Sequence, residues 1–360
     1  MYDVIIVGGG IAGCHLASKL GGLNVLLIEK NKKVILKDSG IVSKDFLELF
    51  DSGFIKNEIC KMDAISPSGL TFTLGSANPF AYIIKRTLFT KCQRMTARKN
   101  ADIVYDNVLG VEYSKECVTV HTTGGIYQGK IVVGTDGANS VVRRYARIPR
   151  PFLSLGIMIK TKSSLDGDIN VFFNKHFSPD FFSWIIPQND EYGTISSIRP
   201  REYLKHFEKK LFLPGGQTFA YLIPTGYVKS YADRTLLVGD SCGQNKPLTG
   251  GGIMFGLIAA GYAAVVIKEA FEKGRFNSSA LKGYESLWKK DFAREIDKQF
   301  LVRMLYRRLS NSDIDKLFRQ IGPEMGKLSN FDYDKFSGAW VKLPKMKLMR
   351  IAISAAMKMF

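Results

Sequence analysis

The chain has 360 residues, a length that corresponds to about two domains of average size. Its composition, 46% hydrophobic and 23% charged, is typical of a packed globular protein and excludes a disordered chain, a collagen-like repeat and a small disulfide scaffold. The formal net charge is +18, from 51 Lys and Arg against 33 Asp and Glu, and it favours an anionic partner such as nucleic acid, an acidic membrane surface or an acidic protein.

The chain opens with a strand–helix–strand pattern. The apolar run Tyr2–Val7 predicts a buried strand, Ile11–Leu20 has helical periodicity, and Val25–Ile28 predicts a second buried strand that ends in Glu29. No basic segment or cleavage site precedes the first strand, so we expect no secretory signal peptide.

Three glycines join the first strand to the helix in the pattern Gly8-x-Gly10-x-x-Gly13. Dinucleotide-binding proteins use such glycines for a tight turn, for backbone approach to a pyrophosphate and for helix–strand packing. Glu29 then accepts hydrogen bonds from ribose hydroxyls. The pattern therefore predicts a bound dinucleotide, without deciding between NAD and FAD.

The five cysteines are scattered, and no two of them form a C-x-x-C pair. They encode neither a disulfide framework nor a zinc or iron–sulfur site, and the histidines have no ligand spacing, so we expect no metal and a reducing compartment.

The middle of the chain contains many short strand-like runs separated by turn residues. The runs are Asp102–Tyr105, Val118–Thr122, Ile126–Val133, Phe181–Pro187 and Gly193–Ile198. From Lys282 to Leu309 a charged helix follows, with apolar residues three and four apart. Because no linker separates these regions, we expect a discontinuous nucleotide domain with an inserted sheet.

A second glycine-rich segment follows the predicted strand Leu236–Val238, which leads into Gly239 and Asp240. No charge occurs from Pro247 to Ile267, a length sufficient to cross a bilayer. The alternative, which we favour, is a buried helix whose glycine-rich N-terminus stabilises the negative charge of a reduced flavin.

Three motifs together resemble one class of flavoprotein: the N-terminal fingerprint, the segment from Gly134 to Arg143, and the phrase GDSCGQNKPLTGGGI that begins at Gly239. They are similar to glutathione-reductase-type flavoproteins of the hydroxylase branch, and within it to the geranylgeranyl reductase family. The segment Phe182–Pro187 is similar to that family's aromatic-x-Trp-x-aromatic-Pro motif. The resemblance covers roughly residues 1–270.

The resemblance implies an α/β fold with a glutathione-reductase-type, Rossmann-like FAD-binding domain that is discontinuous. We expect this domain to comprise 1–60, 80–150 and 230–275. An inserted antiparallel β-sheet substrate domain would comprise 61–79 and 151–229. A C-terminal helical region with an amphipathic basic tail would comprise 276–360.

The resemblance also implies the cofactor, FAD, and the residues that bind it. Matched residue by residue, these are Gly8, Gly10, Ala12, Gly13, Glu29, Ser39, Gly40, Arg86, Val108, Asp136, Asp240, Gly251, Gly252 and Ile253. Ser39 occupies the position of a cysteine that is common in the family. For Arg86 and Val108, a surface arginine and a core valine are equally good interpretations.

The family's motif places the substrate-binding residues at Phe182, Trp184 and Ile186, which share one face if this run alternates as a strand. The function implied is reduction of carbon–carbon double bonds in geranylgeranyl chains of membrane lipid precursors by an FAD-dependent oxidoreductase. A flavin monooxygenase or halogenase, or an electron-transfer flavoprotein without lipid turnover, is the alternative. No catalytic residue or proton donor is identified from the sequence.

The C-terminal segment Lys345–Phe360 has basic residues in one narrow arc and apolar residues around the rest. Such a helix lies on an anionic membrane surface or docks on the protein itself. We expect a cytoplasmic protein peripherally associated with the membrane. Its partners would be a prenylated lipid, an anionic membrane surface and an electron donor (reduced ferredoxin, NAD(P)H or reduced deazaflavin), with no nucleic acid.

Overall fold

A computed structural model describes residues 1–35, 38–325 and 332–335. The strands are β1 (Tyr2–Val7), β2 (Val25–Glu29), β3 (Ile41–Ser43), β4 (Ile55–Ile59), β5 (Lys61–Ile65), β6 (Thr71–Gly75), β7 (Ala81–Ile84), β8 (Asp102–Tyr105), β9 (Val108–Tyr113), β10 (Val118–Thr122), β11 (Ile126–Gly134), β12 (Phe152–Thr161), β13 (Ile169–Phe172), β14 (Ser183–Ile186), β15 (Glu191–Ser196), β16 (Gly216–Thr225), β17 (Tyr231–Ala232) and β18 (Thr235–Leu237). The α-helices are α1 (Ile11–Lys19), α2 (Phe46–Leu49), α3 (Arg86–Ala97), α4 (Val141–Tyr145), α5 (Pro200–Leu211), α6 (Ile253–Glu272), α7 (Ser278–Trp288), α8 (Arg294–Tyr306) and α9 (Asn311–Met325).

The chain forms two compact units, each built from separated segments. The first unit comprises the described residues within 1–36, 85–152 and 224–297. The second comprises those within 37–84, 153–223 and 298–360.

The first unit is built on a sheet whose strands run in the order β17-β18-β11-β1-β2-β8. The strands from β18 to β8 are mutually parallel, and β10 extends β11 as an antiparallel hairpin partner. Because a parallel sheet is covered on both faces, its central strands are largely apolar, and residues 4–7 and 25–28 are buried. In β1 the side chains of Val4 and Ile6 join one hydrophobic cluster, and those of Ile5 and Val7 join another.

Helix α6 occupies the core of the first unit. Among the described residues it is the helix that is long and apolar enough to cross a membrane. However, 61% of its most apolar window is buried inside the structure. Its alanines pack in the same cluster as Leu16 and Ala17 of α1, an arrangement that agrees with the expected buried helix.

The second unit is built on a sheet in the order β16-β12-β15-β14-β13-β5-β6. The expected antiparallel sheet is wrong in one pairing, because β13 and β5 run parallel. Parallel neighbours need a long crossover, and here more than a hundred residues separate the two strands. A smaller sheet, β3-β7-β4, belongs to the same unit.

The unit boundaries differ from the expected domain boundaries at both ends of the inserted region. Residues 38–60 and 80–84 lie in the second unit, because β3, β4 and β7 pair with one another. Part of the expected C-terminal region, including α7, lies in the first unit, where Trp288 and Phe292 enter the core cluster. The single helix expected from Lys282 to Leu309 is interrupted by a π-helical turn at Lys289–Ala293. The segment Lys345–Phe360 lies outside the described residues.

Candidate functional site

The three fingerprint glycines have different surroundings. Gly8 has a φ of +107°, and a Cβ there would lie 2.4 Å from the carbonyl oxygen of Thr135. A Cβ on Gly13 would lie 2.0 Å from the carbonyl oxygen of Gly8. A Cβ on Gly10 would meet no atom within 4 Å. The fold itself therefore requires Gly8 and Gly13, whereas Gly10 leaves open space that a ligand can enter.

The carboxylate of Glu29, the last residue of β2, binds the backbone of the glycine loop between β1 and α1. Its Oε2 accepts a hydrogen bond from the Gly9 N–H at 2.7 Å, and its Oε1 accepts one from the Asn31 N–H at 2.8 Å. Each carboxylate oxygen has a further lone pair, so Glu29 can hold the loop and still accept from a ribose hydroxyl.

Arg94 of α3 is a site residue that the sequence interpretation missed. Its side chain is buried, its Nε donates to the carbonyl oxygen of Gly9 at 3.2 Å, and one terminal nitrogen donates to Asn31 and Lys32 at 3.1 and 2.9 Å. It fixes the glycine loop to the loop after β2. Its position on the buried face of α3, with Phe89, Thr90, Gln93 and Ala97, is the signal that could have identified it.

The second glycine-rich segment lies beside the first. A Cβ on Gly256 would lie 3.5 Å from the Cβ of Ala12, and one on Gly239 would lie 3.8 Å from the same atom. A Cβ on Gly252 would lie 3.2 Å from Oδ1 of Asp240. The fold therefore brings together Ala12, Asp240 and Gly252. The sequence predicts all three as cofactor-binding residues, although Ala12 lies more than two hundred residues before the other two.

A buried hydrogen-bond chain holds the Gly239 turn. The Gly239 N–H donates to Oε1 of Gln244 at 2.7 Å, Nε2 of Gln244 donates to the Tyr284 hydroxyl at 2.9 Å, and that hydroxyl donates to the Leu237 carbonyl at 2.9 Å. Burial raises the pKa of Tyr284 well above its ordinary value, so the phenol keeps the proton that it donates.

Helix α6 begins at Ile253, after the half-buried glycines Gly251 and Gly252. Its N-cap residue, Gly252, provides no side-chain hydrogen bond to the first turn. The first N–H groups of a helix have no intrahelical partner and favour a negative charge. The start of α6 is therefore suited to an anionic ligand atom.

Asp136 has a structural role that the sequence interpretation did not assign. Its Oδ2 accepts hydrogen bonds from the N–H groups of Val141 and Val142 at 2.6 and 3.3 Å, and so caps α4. Its buried Oδ1 accepts none within the described ranges. Burial raises the pKa of this carboxyl, and the uncommitted oxygen suits a ligand that donates a hydrogen bond.

Arg86 and Val108 stand at element ends in the first unit. Arg86 begins α3, and its guanidinium donates to the hydroxyl of Thr90. Val108 begins β9 with its side chain in a core cluster, which agrees with the core-valine interpretation. The Asp106 N–H, just before it, donates to the Glu29 carbonyl at 3.0 Å, so the backbone at Val108 lies near Glu29.

Ser39 and Gly40 lie in the second unit, whereas the other predicted cofactor residues lie in the first unit. Gly40 has a φ of +71°, and its N–H donates to Oδ1 of Asp38 at 3.0 Å. The Ser39 carbonyl accepts from Nδ2 of Asn189 at 2.8 Å. Asn189, in the turn between β14 and β15, thus binds the backbone of this loop within the same unit.

The predicted substrate residues lie on and just before β14. Trp184 and Ile186 are buried in one hydrophobic cluster, and Ile185 packs in another, so the strand alternates as expected. Phe182 is only half-buried, and its ring lies 6.0 Å from that of Trp184. A Cβ on Gly193, which pairs with Trp184, would lie 2.6 Å from the indole ring.

The two buried cysteines, Cys14 and Cys242, are unreactive thiols. Cys14 and Cys242 donate to the carbonyl oxygens of Gly9 and Leu237 at 3.4 and 3.2 Å. Burial raises the pKa of Cys14 to about 12 and that of Cys242 above its ordinary value, so neither is a reactive thiolate at neutral pH. Within the described ranges, no three His, Cys, Asp or Glu residues form a group that could hold a metal ion.

These features fit a flavin dinucleotide in the first unit. The loop at Gly10 leaves room for a pyrophosphate, Glu29 lies at the end of the next strand, and the start of α6 offers N–H groups beside Asp240.

No protein-family model matches the chain, but individual proteins do. The chain is 27% identical to a digeranylgeranylglycerophospholipid reductase of Methanocaldococcus jannaschii, over 93% of this chain and 94% of that one. It is 27% identical to digeranylgeranylglycerophospholipid reductase 1 of Methanococcoides burtonii, over 88% and 86% of the two chains.

Solved structures share the fold. A geranylgeranyl bacteriochlorophyll reductase-like protein of Thermoplasma acidophilum superimposes with a TM-score of 0.82 over 95% of each chain, at 23% identity. A halogenase in complex with FAD has a TM-score of 0.67 over 91% of this chain, at 13% identity. The α/β fold is therefore that of flavoenzymes. The chain is therefore similar in sequence to digeranylgeranylglycerophospholipid reductases, and it shares its fold with flavin-dependent enzymes.

Proposed function

We propose that this protein reduces carbon–carbon double bonds of geranylgeranyl or similar polyprenyl chains in membrane lipid precursors. The observation that carries the proposal is the similarity to enzymes named digeranylgeranylglycerophospholipid reductases, which extends over about nine-tenths of the chain. The halogenase and brominase neighbours are 13–16% identical, and their likeness concerns the fold alone.

The first unit holds the cofactor in this proposal. Reduced FAD, when bound, supplies the hydride for the reduction. Gly8 and Gly13 shape the loop, Gly10 admits the pyrophosphate, and Asp240 with the start of α6 holds the ribityl and ring end. Arg94 keeps the loop in place through its three backbone hydrogen bonds.

The second unit holds the lipid chain in this proposal. An isolated alkene has no carbonyl that a protein can polarise. Its reduction therefore depends on holding the chain against an apolar surface, in a site that excludes water. Phe182, Trp184 and Ile186 provide such a surface. Since Trp184 and Ile186 are buried and Phe182 is half-exposed, Phe182 is the member with surface left for a ligand.

The substrate would reach the protein at a membrane surface, because a digeranylgeranyl lipid resides in a bilayer. The net charge of +18 suits an anionic surface, and residues 268–360 contain 20 Lys and Arg against 11 Asp and Glu. The electron donor belongs to the same proposal: reduced ferredoxin, NAD(P)H or reduced deazaflavin.

The experiment is an anaerobic incubation of dithionite-reduced protein with a digeranylgeranyl lipid, followed by mass spectrometry. We expect a gain of two hydrogen atoms for every double bond reduced. A product that gains oxygen or halogen under air with NAD(P)H would instead indicate a monooxygenase or halogenase. A flavin that cycles with no change in the lipid would indicate an electron-transfer protein.

A further inference from the structure

Helix α5, in the second unit, packs on one face of the large sheet and exposes its other side to solvent. Its buried residues Leu204 and Phe207 belong to the hydrophobic cluster that also contains Ile185 of β14. The proposed substrate residues Trp184 and Ile186 belong to a different cluster, on the opposite face of β14. The outer side of α5 is therefore separate from the proposed substrate surface.

The outer side of α5 has a row of basic residues. Arg201, Lys205 and Lys209 are exposed and lie four residues apart, so they share one face of the helix. We call these three residues the basic row. Like charges at this spacing destabilise a helix, so the stability of α5 does not explain the row. An anionic partner would offset the repulsion.

The two carboxylates of α5 interact with other side chains. Glu202 lies 3.6 Å from a terminal nitrogen of Arg199, and Glu208 accepts a hydrogen bond from the Tyr192 hydroxyl at 2.9 Å. From residue 199 to residue 212 the chain has five Lys and Arg against two Glu. This part of the surface therefore has an excess of positive charge.

Phe212, directly after α5, is an exposed aromatic residue in a strained conformation. It is 93% exposed, and no other large apolar residue that the structure describes is exposed to this extent. Its φ of +52° lies in the left-handed region, where a helix commonly ends in Gly or Asn and where a bulky residue is disfavoured. The phenyl ring thus gains no packing and adds strain, which indicates a role outside the fold.

A second exposed apolar residue precedes the helix. Ile198 is 57% exposed, so apolar side chains lie at both ends of α5, with the basic row between them. The helix has 12 residues and is about 18 Å long. Apolar residues that enter a bilayer, together with Lys and Arg at the level of its head groups, are typical of an interfacial protein surface.

We propose that α5 and Phe212 form the surface by which the protein binds an anionic membrane. Phe212 enters the acyl region, and the basic row lies against the lipid phosphates. The proposal rests on the proposed function for its partner, the bilayer in which a digeranylgeranyl lipid resides. An acidic protein is the competing partner. A ring that projects from the end of a helix favours the bilayer, because fluid acyl chains close around it without a preformed pocket.

Phe212→Gly separates a binding role from a structural one. Its melting temperature should equal or exceed that of the wild-type protein, because glycine adopts a positive φ without strain. Its affinity for vesicles of phosphatidylcholine with about one-third phosphatidylglycerol should fall about tenfold or more, because the ring is no longer buried in lipid. Sedimentation measures the affinity.

Leu49→Gln is the control for Phe212→Gly. It removes an apolar side chain that is 46% exposed on α2, in the same unit, and should leave vesicle affinity unchanged. An unchanged affinity in Phe212→Gly, or a melting temperature several degrees lower, would overturn the proposal.

The basic row is tested by the double variant Lys205→Gln with Lys209→Gln. Its affinity for the same vesicles should fall about tenfold or more, and its affinity for vesicles of phosphatidylcholine alone should not change. Lys44→Gln with Lys162→Gln removes the same charge from exposed positions elsewhere in the second unit, and should have a smaller effect. Equal losses in the two double variants would contradict a specific role of α5.

Phe212→Trp distinguishes a membrane from an acidic protein as the partner. Trp184 and Trp288 are 4% and 0% exposed, so bilayer lipid does not reach their rings. Brominated acyl chains should quench the fluorescence added by Phe212→Trp and leave that of the wild-type protein nearly unchanged. The absence of this additional quenching would overturn membrane insertion and favour a protein partner.

Lipid reduction in detergent separates this proposal from the proposed function. With the substrate dissolved in detergent, Phe212→Gly should have the wild-type rate, because α5 and Trp184 lie on opposite faces of the sheet. With the substrate in anionic vesicles, the variant should be slower, and equal rates there would contradict the proposal. If the wild-type protein reduces no polyprenyl lipid, the proposed function fails, whereas binding to vesicles without substrate still tests the surface at α5.

Discussion

Gly10 and Gly8 lie two residues apart, yet the backbone conformation and the space around the Cα differ between them. Gly10 has φ and ψ of −75° and −168°, extended backbone that any residue adopts, and a side chain there would meet open space. Gly8 has a φ of +107° and no room for a Cβ. Only Gly10 can therefore be substituted without disturbing the fold.

We predict that Gly10→Val folds with a melting temperature near that of the wild-type protein but purifies without FAD, because the valine occupies the pyrophosphate space. Gly8→Val should lose stability as well as FAD. Absorbance of the bound flavin and thermal melts of the FAD-free proteins provide both readouts. Full FAD retention in Gly10→Val would contradict the assignment of this loop.

The predicted substrate residues also differ in what their loss would cost. We predict that Trp184→Ala destabilises the protein by about 3–5 kcal/mol, because the indole is 4% exposed in a packed cluster. Phe182→Ala, which truncates a half-buried ring, should leave the melting temperature and FAD content nearly unchanged. It should slow lipid reduction by about 100-fold, since a small misplacement of the reacting atoms is sufficient. Undiminished reduction by a folded Phe182→Ala protein would exclude this residue from the site.

Among the elements, α3 supports the cofactor loop through one side chain. Arg94→Met should leave the carbonyls of Gly9, Asn31 and Lys32 without their donor. The loss costs about 1–3 kcal/mol at the buried Gly9 carbonyl, whereas water can replace the donor at the partly buried Asn31 and the exposed Lys32. We expect a lower melting temperature and an FAD affinity at least tenfold weaker, measured by flavin release. Arg98→Met, at an exposed position just after the same helix, is the control and should change neither. Equal FAD affinity in both variants would contradict the role of Arg94.

Short sequence patterns correctly predicted several individual strands. The expected strands Tyr2–Val7, Asp102–Tyr105 and Val118–Thr122 have the same bounds in the structure, because an apolar run or an apolar–polar alternation bounded by turn residues is a local signal. The pairing of β13 with β5 was not predicted, since it joins segments far apart in the chain. The helical spacing of Arg94 places it on the buried face of α3, but its hydrogen-bond partners, Gly9, Asn31 and Lys32, belong to other segments and cannot be read from the local pattern.

At the scale of the whole molecule, the net charge of +18 is not needed for cofactor binding or for packing of the core. We predict that the protein binds vesicles containing anionic lipid and that added salt weakens this binding. Deletion of Lys345–Phe360, which lies outside the described residues, should weaken it further, as measured by vesicle sedimentation. Unchanged binding after the deletion would favour a segment docked on the protein.

The central claim is that electrons from the bound flavin enter double bonds of a polyprenyl chain, and a single-turnover titration tests it most directly. Protein with fully reduced FAD is mixed anaerobically with excess digeranylgeranyl lipid, and flavin absorbance and lipid mass are followed together. We predict that one double bond gains two hydrogen atoms for every flavin oxidised, and that Gly10→Val gives neither signal. A flavin that stays reduced, or that is oxidised while the lipid mass is unchanged, would contradict the account.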